Sequence, residues 1–152
     1  MNTDTLSILV VDSNKDHQHL MMESLRGTIN DIQIHSSDTG EDCLNKLSQR
    51  RYNVIIVDFC LSDIEVFDLL YKVRKKNNQV PIIMVMADDG KNFIEESMVH
   101  GVCGFVVKSE GYLERLPAIV LKVCREYRLR NETEKIERKL EESELRYRML
   151  IE

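Results

Sequence analysis

A chain of 152 residues that is 43% hydrophobic and 31% charged, with a formal net charge of -5, has room for one domain with a full core plus an appendage. Its mildly acidic balance argues against a nucleic-acid binder, which needs a basic face. The start "MNTDTLSILVVD" lacks the basic residues and long apolar run of a signal peptide. No apolar segment reaches the length of a membrane span, so a cytoplasmic protein is expected.

Strand-like and helix-like segments alternate. "LSILVVD" (6–12) is a β-branched run ending at Asp12, and "HQHLMMESLRG" has apolar residues at helical spacing and a stop at Gly27. Ser13 with Asp16 three residues later fits a helix-capping box. "DIQIHSS" alternates as a strand does, and "TGEDCLNKLSQR" reads as a capped helix. "NVIIVDF" is a buried strand that stops on the carboxylate of Asp58, followed by the helix "EVFDLLYKVRKK". "VPIIMVMA" (80–87) is a fourth strand, "GKNFIEESMVHG" a helix and "CGFVVK" (103–108) a fifth strand. From Leu116 the chain reads as helical almost to its end, with Pro117 suited to a first turn.

Five such units with continuous apolar strands imply a parallel sheet covered by helices on both faces. In sheets of this kind ligands bind beyond the carboxyl ends of the strands. Asp12, Asp58 and Lys108 fall at those ends. Two carboxylates and an ammonium suit a divalent cation and a phosphoryl group, because carboxylates are hard oxygen ligands and the lysine is a compact positive charge. The cysteines, Cys43, Cys60, Cys103 and Cys124, form no CxxC pair and read as small core residues of a reducing compartment. His17 and His19 are two apart on a helix and point to different faces, which argues against a zinc site.

The segments "ILVVD", "VIIVD", "PIIMVMA" and "GFVVK", in this order and spacing, resemble the receiver domain of two-component response regulators over roughly residues 6 to 127. The resemblance implies a flavodoxin-like, doubly wound α/β fold whose five parallel strands lie in the order 2-1-3-4-5, with an extended C-terminal helix. It makes Asp58 the phosphoacceptor and Lys108 the phosphoryl-binding lysine. Magnesium would be held by Asp12, Asp58 and the backbone carbonyl of Cys60, with Ser13 at a degenerate position. Met86 and Phe105 fall at the two switch positions. The implied partner is a histidine kinase or phosphotransfer protein, and the fragment itself is not an enzyme.

The departures from the family pattern bear on the chemistry. Ser13 stands where a second acid usually follows Asp12, and lost support of this kind costs about 10–100-fold in metal affinity, so magnesium binding is expected to be weak. Met86 stands where a Thr or Ser hydroxyl usually donates to the phosphoryl group, a bond worth roughly 1.5–3 kcal/mol that a thioether cannot make. Structurally, Met86 reads as a core filler and Phe105 as ordinary packing. "LSDIEVFDLL" after the acceptor lacks the usual proline and Asp-Gly. Ser109 replaces the proline after Lys108, so a cis bond there is not expected.

From Arg125 the composition changes to "REYRLRNETEKIERKLEESELRYRMLIE", more than half charged with both signs interleaved. Leu129, Thr133, Ile136, Leu140, Ser143, Tyr147 and Leu150 follow the 4-3 spacing of a short coiled-coil seam, whose alternative is a solvated helix held by ion pairs. "LEESELRYRMLIE" resembles the helical lead-in to a PAS domain of sensor histidine kinases. The expected organisation is a receiver over 1–127 and a helical linker over 128–152 that forms a homodimer. The alternative function is a phosphorylation-independent interaction module. A haloacid-dehalogenase-type phosphatase would need an aspartate where Cys60 stands, and "DSNKDH" is not the phosphate loop of a flavodoxin. No GxGxxG or P-loop is present.

Overall fold

The computed structural model describes residues 5–76, 79–87 and 91–151. Strands and helices alternate as β1 (Leu6–Val11), α1 (Lys15–Thr28), β2 (Ile32–Ser37), α2 (Gly40–Gln49), β3 (Val54–Asp58), α3 (Val66–Lys75), β4 (Ile82–Met86), α4 (Lys91–Val99), β5 (Val102–Val107) and α5 (Tyr112–Ile151). All strand pairs are parallel and the order is β2-β1-β3-β4-β5. This is the flavodoxin-like, doubly wound sheet expected from the sequence, with β3 in the middle.

Both faces of the sheet are covered, so β3 and β4 are buried at every position and apolar throughout except at Asp58, which ends β3. The two-residue period of a strand divides these side chains between two cores. Leu9, Val11, Ile55, Val57, Ile82 and Met84 pack with Cys43 of α2 and with Phe67, Leu70 and Val73 of α3. Ile8, Val10, Ile56, Ile83 and Val85 point the other way, onto Met21 and Leu25 of α1 and Leu116, Val120 and Val123 of α5. A Cβ at Gly104 on β5 would come within 3.2 Å of Val123 Cγ2, so the bare glycine permits close packing of α5 on that strand.

Four local expectations are corrected. α1 is capped by Asn14 rather than Ser13, because Asn14 Oδ1 accepts from the amides of Asp16 and His17 at 3.0 and 3.1 Å. α1 does not stop at Gly27 but runs to Thr28, closing with the Ile29 amide on the Leu25 carbonyl. α5 starts at Tyr112, four residues before the expected Leu116, so Pro117 lies inside the helix. Among the cysteines only Cys43 is a buried core residue; Cys124 is half-buried, and Cys60 and Cys103 are exposed. No peptide bond among the described residues is cis, and none of their helices is long and apolar enough to cross a membrane.

Candidate functional site

The parallel sheet brings the carboxyl ends of β1, β3 and β5 to one edge, where Asp12, Asp58 and Lys108 meet. Asp12 and Asp58 are almost fully buried, at 2% and 7% exposure. Each carboxylate is oriented by the chain just after it. Asp12 Oδ1 accepts the Asn14 amide at 2.8 Å, and Asp58 Oδ1 accepts the Cys60 amide at 2.7 Å. Both Oδ2 atoms are left for Lys108. Its ammonium donates to Asp12 Oδ2 at 3.1 Å and to Asp58 Oδ2. The Lys108 amide donates to the Met86 carbonyl at 2.7 Å, which ties the lysine to the end of β4.

Burial and charge govern the protonation of this group. Burial raises the Asp12 pKa above its ordinary value; the Asn14 amide opposes this, and the negative Asp58 adds to the rise. For Lys108 burial acts downward, but the hydrogen bond and charge of Asp58, then those of Asp12, outweigh it and hold the ammonium pKa above normal. The lysine therefore stays charged and makes two buried carboxylates tolerable.

His17, not expected at the site from the sequence, joins this group. It lies in the first turn of α1, directly after the β1 strand end, and its Nδ1 is 2.7 Å from Lys108 Nζ. His19 is exposed, so the two histidines do diverge. The two-residue spacing of His17 and His19 speaks only against a zinc site made by that pair, whereas His17 finds its partner on another element. The legible signal was position: a residue in the first turn after a strand end overhangs the carboxyl edge of the sheet. Gln18 beside it is buried and donates to the carbonyls of Asp12 and Ser37 and to Asp38 Oδ1 at 2.6, 3.1 and 2.7 Å. It fixes the loops after β1 and β2.

The degenerate positions are occupied differently from the family pattern. Ser13 Oγ donates to the Asp38 carbonyl at 3.0 Å and accepts the Ser62 amide at 3.0 Å, which links the loops after β1 and β3. Asp63 accepts the amides of Gly40 and Glu41 at 2.9 and 3.1 Å, anchoring the loop after β3 on the N-terminus of α2. That loop is held without its family's proline and glycine. Met86 is 3% exposed and belongs to the core, as its side chain suggests. Phe105 is half-buried against the same core.

A magnesium ion, which the family resemblance implies, finds two hard carboxylate donors here. Asp12, His17 and Asp58 offer ligand atoms that all lie within 4.8 Å of one another. The donor set fits a divalent cation, but with one acid fewer than the family pattern and with Lys108 already neutralising half of the carboxylate charge.

The chain matches the family model "Response regulator receiver domain" over residues 8–120. Among curated relatives, the regulatory protein LuxO of Vibrio cholerae is 33% identical over 78 residues, which is 51% of this chain and 17% of LuxO. The transcriptional activator protein ExaE of Pseudomonas putida is 22% identical over 120 residues, covering 79% of this chain and 54% of ExaE. The chain thus spans only part of the length of these relatives. Among solved structures, the receiver domain of Francisella response regulator 1452 superposes with a TM-score of 0.71 at 22% identity, covering 80% of this chain and 98% of that one. Response regulator TrrA of Thermotoga maritima, solved in complex with Mg(2+)-BeF, gives a TM-score of 0.67 at 25% identity, with 78% and 98% covered. With the family model spanning most of the chain and the sheet order matching the fold, this chain belongs to the response regulator receiver domains.

Proposed function

We propose that this domain accepts a phosphoryl group on Asp58 from a histidine kinase or phosphotransfer protein and passes its state on through α5. The observation that carries the reading is the Lys108 ammonium on the Oδ2 atoms of Asp58 and Asp12. In the transfer an Asp58 oxygen attacks the phosphorus of a phosphohistidine. The new P–O bond forms as the P–N bond breaks, and the donor imidazole nitrogen keeps the electron pair and takes up a proton. The product is an acyl phosphate, whose added negative charge Lys108 can follow and neutralise.

Receiver domains bind magnesium at an acidic pocket, and here Asp12, Asp58 and the Cys60 carbonyl would hold it. When bound, the ion supplies neutralisation of charge on the transferring phosphoryl oxygens. Ser13 and Met86 weaken this machinery, since one adds no charge and the other no hydrogen bond. Their presence favours a second reading, an interaction module that works without phosphorylation. In either case residues 1–127 form the receiver and 128–152 a helical linker. Its likeness to a PAS lead-in suggests a sensor kinase-like parent protein, with two copies paired through α5.

Incubation with magnesium and acetyl phosphate, read by intact mass, tests the assignment. A slow gain of one phosphoryl group is expected, absent in Asp58→Asn. The double variant Ser13→Asp/Met86→Thr should gain about 10–100-fold in magnesium affinity and react faster. A modified Asp58→Asn chain overturns the acceptor assignment. A native chain that never reacts, beside a repaired one that does, establishes the second reading.

A further inference from the structure

The three protons of the Lys108 ammonium go to three acceptors: Asp12 Oδ2 at 3.1 Å, His17 Nδ1 at 2.7 Å and Asp58 Oδ2. An ammonium only donates, so His17 Nδ1 must present its lone pair and the ring carries its hydrogen on Nε2. Two carboxylate oxygens and one imidazole nitrogen therefore converge on a single cation from three segments: the loop after β1, the first turn of α1 and the end of β3. The backbone amides of Asn14 and Cys60 orient both carboxylates toward that point.

We infer that Asp12, His17 and Asp58 form a binding site for a borderline divalent transition metal, with zinc as its best ligand, at the place now held by the Lys108 ammonium. Metal–donor bonds of about 2.0–2.2 Å would draw the donors in by up to about 1.1 Å from their present distances to Nζ. The charge favours the exchange, because a divalent cation neutralises both carboxylates where the ammonium neutralises one. The nitrogen donor sets the selectivity. Imidazole suits zinc, nickel and copper, whereas magnesium takes oxygen ligands almost alone. Three protein donors also leave a fourth position open to water or to an incoming anionic group.

This goes beyond phosphoryl transfer and holds whether or not Asp58 is ever phosphorylated. It has a consequence for that chemistry, since zinc at this place takes Asp58 Oδ2 and displaces the Lys108 ammonium that would neutralise an incoming phosphoryl group.

The test is direct metal binding by the whole chain, by competition of Zn2+ against a chromogenic chelator and by calorimetry with Mg2+. The native chain should prefer zinc over magnesium by several orders of magnitude. His17→Ala should lose at least about tenfold in zinc affinity and leave magnesium binding unchanged. His19→Gln and Cys103→Ser should bind zinc as the native chain does. Lys108→Met, which removes the resident cation, should bind zinc more tightly and gain thermal stability on adding it, a readout independent of how well His17→Ala folds. Equal zinc affinity for the native and His17→Ala chains overturns the inference. So does loss of zinc binding in Cys60→Ser with His17 intact, which would assign the metal to the exposed thiol. Failure of acetyl phosphate to modify Asp58 bears on the acceptor reading alone.

Discussion

Single side chains at the carboxyl edge show how burial assigns their tasks. Asp12 and Asp58 each give one oxygen to an amide two residues on and the other to Lys108. An ionised carboxylate at the end of a buried strand needs such a partner, so these positions were legible from where the apolar runs stop. For His17 only the place at the edge was legible, because its partner Lys108 follows β5 and lies 91 positions away. The cysteines make the same point about exposure. Burial pushes the Cys43 thiol up to about 12 and that of Cys124 up to about 11, leaving almost no thiolate near neutrality. Brief alkylation of the native chain at mildly alkaline pH should modify the exposed Cys60 and Cys103 first and Cys124 slowly. Cys43 should react only once the chain is unfolded. Peptide mass mapping over time gives the order, and early modification of Cys43 would contradict the packing of α2 on the sheet.

At the scale of elements, the sheet followed from apolar runs of strand length, while helix ends depended on contacts that no local pattern contains. α5 is the clearest case. The rule that proline belongs in a first turn placed its start near Leu116, yet the helix begins at Tyr112 and takes Pro117 in its sixth position. A proline there has no N–H to give the carbonyl four residues back, which is that of Leu113. Ser24 on α1 supplies the missing donor, its hydroxyl bonding the Leu113 carbonyl across 89 positions of sequence. The exception is thus stabilised by a neighbouring helix. Ser24→Ala should leave that carbonyl without a protein donor and cost about 1–3 kcal/mol. In a Pro117→Ala background, where the helix amide returns, the same change should cost much less. Urea unfolding of the four chains of this cycle measures the coupling. Equal costs in both backgrounds would show that Ser24 does not compensate for the proline.

For the whole molecule the question is what covers the second half of α5. Forty residues of helix extend about 60 Å at 1.5 Å per residue. Leu116, Val120 and Val123 are buried against the sheet, whereas every described side chain from Glu132 onward is exposed. Ile136, Leu140 and Leu150 are 67%, 59% and 84% exposed along one seam. A projecting helix gains most of its stability by burying an apolar face, so this one calls for a partner. A second copy is the proposed partner because its seam is identical, and parallel pairing would place both receivers at the same end. The seam is also interrupted. Thr133 bonds the Leu129 carbonyl of its own helix at 2.9 Å, and Leu145 and Met149 lie off the 4-3 spacing, so modest affinity is expected. Mass measured by light scattering should rise toward a dimer with concentration in the native chain. The variant Ile136→Asp/Leu140→Asp should stay monomeric over the same range while its receiver fold melts as before. If the native chain remains monomeric at the highest concentration, the exposed seam is only a solvated tether, and the receiver's state must leave by its own surface.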